Sequence, residues 1–217
     1  MIFDLDGTLG DTLPVCFAAF RATLAHYLGR HFEDHEIRAM FGPSEEGVLR
    51  RVVPARWEEA LETYLREYER AHRACTAPFP GLITVLDTLR ARGRRLAVVT
   101  AKGQRSAEIS ARVLGLDGYF EIMETGSHDG SVKGDRIRAV LARWAIPPGE
   151  VAYVGDAPSD MVVAHQEGLV PLAAAWAGTT DVARLVEREP AALFPTVASF
   201  AGWVEALAEE PAHRGRR

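Results

Sequence analysis

Three features of the sequence predict an α/β fold: a Rossmann-like parallel sheet covered by helices on both faces, with an inserted all-helical cap domain. From Gly81 onward, short β-branched runs alternate with amphipathic helical stretches, the pattern of crossovers that build a parallel sheet. A further apolar run, Met1-Ile2-Phe3, opens the chain and ends on two acids, Asp4 and Asp6. Between that run and Gly81 lie roughly 65 residues of helical pattern, and an insertion of this length at a sheet edge reads as a folded lid.

The elements follow in order. Only three residues precede Asp4, so the first strand is short or the start of the chain is trimmed. Leu13 to Leu28 repeats apolar residues at helical spacing, and Trp57 to Cys75 forms a long amphipathic stretch. Asp34–Met40 and Ser44–Val53 read as shorter helices around the breaker Gly42-Pro43, and residues 76–80 as a hinge. Then come helix 81–92, strand 95–100, helix 105–114, strand 121–125, helix 135–144, strand 150–155, helix 159–167 and strand 170–176. The expected organisation is a catalytic core of residues 1–13 and 79–210, a helical cap of 14–78, and a disordered polar tail of 211–217.

Bulk properties narrow the classes. The 217 residues are 47% hydrophobic and 25% charged, ordinary for a soluble globular chain. A net charge of −5 offers no attraction to nucleic acid or an anionic membrane. No apolar run is long enough to span a bilayer, and the start lacks the pattern of a signal peptide. Cys16 and Cys75 are far apart without metal-ligand spacing, so free thiols and a cytoplasmic location are expected. His31 and His35 share helical spacing, but no third ligand accompanies them, and they read as a solvated face.

Four polar segments fall at successive strand ends, the edge where open α/β sheets bind ligands. In Asp4-Leu5-Asp6-Gly7-Thr8, one carboxylate can attack or hold a metal while the other moves protons. Thr100 closes the 95–100 strand as a hydroxyl suited to a phosphate oxygen, followed by Ala101 and Lys102. Lys133 follows the 121–125 strand, where an ammonium can neutralise a nucleophile and a phosphoryl group. Only two of the 25 basic residues are lysines, Lys102 and Lys133, which suggests a demand for a compact point charge there. In Gly155-Asp156-Ala157-Pro158-Ser159-Asp160, two carboxylates one helical turn apart can face one point, and hard oxygens of this kind suit Mg²⁺.

This set resembles the haloacid dehalogenase superfamily, in its phosphoglycolate phosphatase-like and β-phosphoglucomutase-like group with a helical cap. The matching residues are Asp4–Thr8 with Leu9 and Asp11-Thr12, Thr100, Lys133 and Gly155–Asp160, and the likeness extends from Ile2 to about Gly178. The resemblance implies Mg²⁺-dependent hydrolysis of a small-molecule phosphate ester through an aspartyl-phosphate, by a monomer or homodimer. Asp4 would be the nucleophile and Asp6 the general acid and then base. Thr100 and Lys133 would bind phosphate, with Ala101, Lys102 and the cap's Glu45 beside the substrate. Asp156, the Asp4 carboxylate and the Asp6 carbonyl would hold Mg²⁺, with Asp160 supporting them.

Departures from the family pattern bear on the chemistry. Dehalogenases lack an acid at the position of Asp6, so phosphoryl transfer is expected rather than carbon–halogen cleavage. Ala101 stands where related phosphatases often carry Asn, and Gly10 replaces a larger apolar residue. Glu45 stands where sugar-phosphate mutases grip a second phosphate with Arg; it would repel a second anion unless Arg50, Arg51 or Lys102 reverses that effect. Two alternatives to hydrolysis remain from the sequence. One is a sugar-phosphate mutase, and the other is a phosphate-accepting signalling module, although receiver modules are shorter and carry no lid.

Overall fold

The computed structural model describes residues 1–207; the tail expected at 211–217 lies outside them. Six parallel strands form one sheet in the order β3-β2-β1-β4-β5-β6. They are β1 (Ile2–Phe3), β2 (Ala97–Val99), β3 (Ile122–Glu124), β4 (Ala152–Gly155), β5 (Val170–Ala174) and β6 (Ala192–Phe194). The direction of strand addition reverses at β1, so the ends of β1, β2 and β4 converge on a crevice at that switch point. The ladder of β1 runs past its last strand residue, because the Asp4 amide donates to the Val154 carbonyl at 2.9 Å.

The alternation of β1 sends its two side chains to opposite faces. Phe3 joins Val98, Val154 and Leu172 beneath α5 (Leu82–Ala91) and α10 (Val197–Ala206), against Leu86 and Phe200. Ile2 joins Ala97, Val99 and Tyr153 against Ile137, Val140 and Trp144 of α7 (Lys133–Trp144) and Ala164 of α8 (Pro158–Gln166). Both faces of the sheet are thus covered.

The segment between β1 and β2 has its own apolar centre. Its first four helices, α1 (Leu13–Leu28), α2 (Asp34–Arg38), α3 (Glu45–Val52) and α4 (Trp57–Ala71), bury Phe20, Leu24, Leu49, Leu61, Tyr64 and Tyr68 together. The ring centroids of Phe20 and Tyr64 stand 4.5 Å apart. The α4 helix lies against α6 (Gln104–Val113), where Ser110 Oγ meets Tyr68 Oη at 2.7 Å and His72 Nε2 at 3.1 Å. Exposed pairs, Arg105–Glu62 and Arg112–Glu69, border the same contact.

Differences from the sequence reading lie at element ends. The 57–75 helix stops at Ala71 and tightens into a 3₁₀ turn over His72–Ala74. The 135–144 helix begins two residues early, which makes Lys133 its first residue. No element was assigned beyond Trp176, yet α9 (Val182–Val186), β6 and α10 complete the sheet and its cover. Trp176 itself caps the first turn, donating its indole N–H to the Thr8 carbonyl at 3.1 Å.

Leu86 is fully buried between the sheet and α10. Leu86→Ala should lower unfolding stability by about 2–5 kcal/mol, read from urea denaturation followed by circular dichroism. A loss under 1 kcal/mol would contradict this packing.

Candidate active site

The floor of the site is a buried cluster of one ammonium and three carboxylates. Lys133 Nζ donates to Asp4 Oδ1 at 2.8 Å and to Asp160 Oδ1 at 2.6 Å. Asp160 is fully buried, and its other oxygen accepts from the Ala157 amide at 3.1 Å. Tyr153 Oη stands 3.5 Å from Asp160 Oδ1 while donating to the Val99 carbonyl at 2.9 Å. Both oxygens of Asp160 are therefore engaged, and its geometry fits holding Lys133 in place. Two glycines make room for the cluster. A Cβ on Gly155 would stand 2.4 Å from Asp160 Oδ2, and one on Gly7, at φ +75°, 2.2 Å from Asp156 Oδ2.

Burial sets the electrostatics. Desolvation pushes the Asp4 carboxyl up to about 7, with Lys133 opposing the rise and Asp160 and Asp6 adding to it. Asp156 is raised well above the ordinary carboxyl value by burial and then by Asp4 and Asp160. Burial works against charge on Lys133, but Asp160 and Asp4 outweigh it, and the ammonium is retained. Asp156 makes no hydrogen bond or ion pair among the described residues. Oxygens of Asp4, Asp156 and Asp160 lie within 4.8 Å of one another. A buried excess of carboxylate over ammonium, all hard oxygen, fits a divalent cation such as Mg²⁺. Asp4 and Asp156 line the cavity above this floor; Asp160 lies behind them.

A second charged group joins the core to the inserted helices. Asp6 accepts from Thr12 Oγ1 and lies 3.4 Å from Lys102 Nζ. The Lys102 ammonium also reaches Glu45 at 3.5 Å and Cys16 Sγ at 3.1 Å, and sits 4.3 Å from the centre of the Tyr68 ring. Glu45 is buried and accepts from the Gly103 amide and from Ser106 Oγ at the N-terminus of α6. This geometry realises the alternative that the sequence left open for Glu45: Lys102 and a helix end offset its charge. Lys102 is engaged with Asp6 and Glu45, and Lys102 and Glu45 both line the cavity beside Thr100 and Ala101. Thr100 and Ala101 line the cavity, and Thr100 Oγ1 accepts from the Lys102 amide at 3.3 Å. Burial pushes the Cys16 thiol up to about 12, so it remains protonated.

The structure therefore brings Asp4, Asp6, Thr100, Lys133 and Asp156 around one cavity of about 730 Å³. Tyr153 and Ser106 went unread in the sequence. Tyr153 sits inside the run Val-Ala-Tyr-Val, where an aromatic residue reads as core packing.

A family profile for haloacid dehalogenase-like hydrolases matches residues 1–174. The chain belongs to that family. It is 28% identical over 179 residues to the pyrophosphatase PpaX of Anoxybacillus flavithermus, covering 81% of this chain and 83% of PpaX. It is 31% identical over 218 residues to a Dickeya dadantii protein named "Probable phosphatase IndB", covering 95% and 94% of the two chains. The haloacid dehalogenase-like hydrolase SP0104 of Streptococcus pneumoniae superposes with a TM-score of 0.73 at 26% identity, over 93% of this chain and 96% of that one. With the family match, these relatives make the protein an enzyme of the phosphatase type. No helix among the described residues is long and apolar enough to cross a membrane.

The raised carboxyls carry a pH signature. In the metal-free fold Asp4 and Asp156 hold protons that the unfolded chain releases near pH 4, so their contribution to stability falls as pH rises toward 7. A divalent cation must displace the Asp4 proton at pH 5 but not at pH 8. One fixed Mg²⁺ concentration, a hundred times the Kd at pH 8, should raise Tm by about 5–10 °C at pH 8 and clearly less at pH 5, read by calorimetry. Equal shifts at both pH values would contradict the assignment.

Proposed function

We propose that the protein is a Mg²⁺-dependent phosphatase that hydrolyses a small-molecule phosphate monoester through a phosphoryl group carried on Asp4. The observation that carries this reading is the Lys133 bridge, which fixes one oxygen of Asp4 at the end of β1 and offsets its charge. Two anions, nucleophile and phosphate, must meet at this point, and the ammonium lowers their repulsion. Asp4, Asp156 and the Asp6 carbonyl would hold the Mg²⁺, which when bound supplies further charge neutralisation for the transferring phosphoryl group. Asp160 acts through Lys133.

In the first half-reaction a carboxylate oxygen of Asp4 bonds to phosphorus, and the bond from phosphorus to the ester oxygen breaks. Asp6 gives that oxygen its proton, and the alcohol leaves. The Thr100 hydroxyl donates to a phosphoryl oxygen. In the second half Asp6 takes a proton from water, the water oxygen bonds to phosphorus, and the bond to Asp4 breaks to release inorganic phosphate. Residues 14–78 act as a lid on the core, excluding bulk water while the acyl phosphate exists. We place the reaction in the cytoplasm, in keeping with the free thiols of Cys16 and Cys75.

Released phosphate from p-nitrophenyl phosphate with Mg²⁺ tests the roles. Asp4→Asn should abolish turnover, and unchanged activity would remove Asp4 from the mechanism. Asp6→Ala should cost about 10²–10⁴ in rate with an alkyl phosphate. The loss should be smaller in the first half-reaction with p-nitrophenyl phosphate, whose leaving oxygen needs no proton. An equal first-step loss with both esters would argue against Asp6 as the acid.

A further inference from the structure

The wall that the inserted helices turn toward the cavity is apolar. Leu13, Cys16, Phe20, Phe41, Val48 and Tyr64 line it, opposite the polar floor of Asp4, Lys133 and Asp156. The charged groups on that side are already satisfied: Glu45 and Lys102 hold each other, and Lys102 also holds Asp6. Two arginines also line the cavity, but both are solvent-exposed. Arg184 faces Asp181 at 3.5 Å, and the Arg38 guanidinium lies 5.3 Å from the centre of the Phe17 ring. Exposed cations of this kind attract an anion weakly.

Resting on the reading of Asp4 as nucleophile, we propose that the group leaving with the ester oxygen is uncharged and largely apolar, an aromatic or branched aliphatic alcohol rather than a second phosphate or a carboxylate-bearing alcohol. Transfer of such a group onto this wall is favourable in proportion to the apolar area covered. A second phosphoryl or a carboxylate would lose hydration there, and among the described residues the enclosed cations of the cavity, Lys102 and Lys133, already hold carboxylates.

Tyr64 supplies an independent mark of a ligand. Its side chain is fully buried, and its hydroxyl has no hydrogen-bond partner among the described residues. Buried hydroxyls rarely go without a partner. Thr179 and Thr180, which line the same cavity from the core, also carry unpartnered hydroxyls, and the three suit an occupant with neutral hydrogen-bonding atoms among its apolar ones. This substrate class departs from that in the name of the pyrophosphatase PpaX, although the catalytic floor needs no change to serve it.

The test compares kcat/KM, with Mg²⁺, for benzyl phosphate, glycerol 1-phosphate, phosphoglycolate and pyrophosphate. Benzyl alcohol is an ordinary alkoxide leaving group, so the comparison with the other alkyl esters is not one of intrinsic reactivity. Benzyl phosphate should exceed each of the others by at least about tenfold, equivalent to about 1.4 kcal/mol. A smaller ratio against any of them overturns the proposal. Phe41→Ala, at a position 37% exposed and therefore tolerant of change, should lower kcat/KM for benzyl phosphate at least about threefold more than for glycerol 1-phosphate. Equal losses overturn it too.

Calorimetric binding of benzyl phosphate and pyrophosphate to Asp4→Asn protein with Mg²⁺ separates this proposal from the reading beneath it. Tighter benzyl phosphate supports the apolar wall even if no ester is turned over. Equal or tighter pyrophosphate overturns it. If Asp4→Asn protein turns substrate over normally, the nucleophile assignment fails, and the order of preference is judged by the same ratios.

Discussion

The ammonium of Lys133 is the constraint around which the site is arranged. It lies between Asp4 and Asp160 in a buried position, where an ion without partners would cost several kcal/mol. Each neighbour follows from that placement. Asp160 must face inward, so Gly155 has no side chain in its way, and the Ala157 amide takes the oxygen that Lys133 leaves. Tyr153 closes the rear of the cluster from β4. Asp156 is left without a hydrogen bond, beside a turn in which Gly7 alone allows its approach. Three carboxyls thus meet one ammonium at this floor, and the oxygens of Asp4, Asp156 and Asp160 lie within 4.8 Å of one another.

A second buried ion group ties the inserted helices to this floor. Lys102 touches both Asp6 on the core and Glu45 on α3, and Glu45 in turn terminates α6. The α4–α6 contact through Ser110 works in the same sense, locating the apolar wall over the carboxylates. The inserted helices and the surroundings of Asp6 thus share the partners Lys102 and Glu45. The site combines a strongly charged floor with a wall whose charges are internally cancelled.

Much of this was legible in the sequence, for identifiable reasons. Asp4, Thr100 and Asp156 each follow an apolar run, and a parallel sheet carries such ends to one edge, while Lys133 stood out as one of only two lysines. The pairing of Glu45 with Lys102 was not legible, because it depends on how the inserted helices dock, and no local spacing encodes a contact across that interface. The start of α7 was misplaced because Val132, which precedes it, offers no capping side chain. The edge strand β6 has three residues between Pro190 and Pro195, too few for an alternating pattern to register. The α10 helix buries Val197, Phe200 and Val204 in an otherwise mixed stretch, and its place in the core depends on the sheet already being formed.

Transfer of the phosphoryl group to Asp4 is the central claim, and the covalent adduct can be sought directly. Wild-type protein and an Asp6→Asn variant, which slows the second half-reaction, would be mixed with p-nitrophenyl phosphate, whose leaving oxygen needs no proton, and Mg²⁺, quenched in acid within milliseconds and analysed by peptide mass spectrometry. A phosphoryl group on the peptide containing residue 4, accumulating in the variant and discharged by hydroxylamine, is the predicted result. A phosphoryl group on any other residue, or inorganic phosphate released in a burst with no adduct at any quench time, would contradict the account.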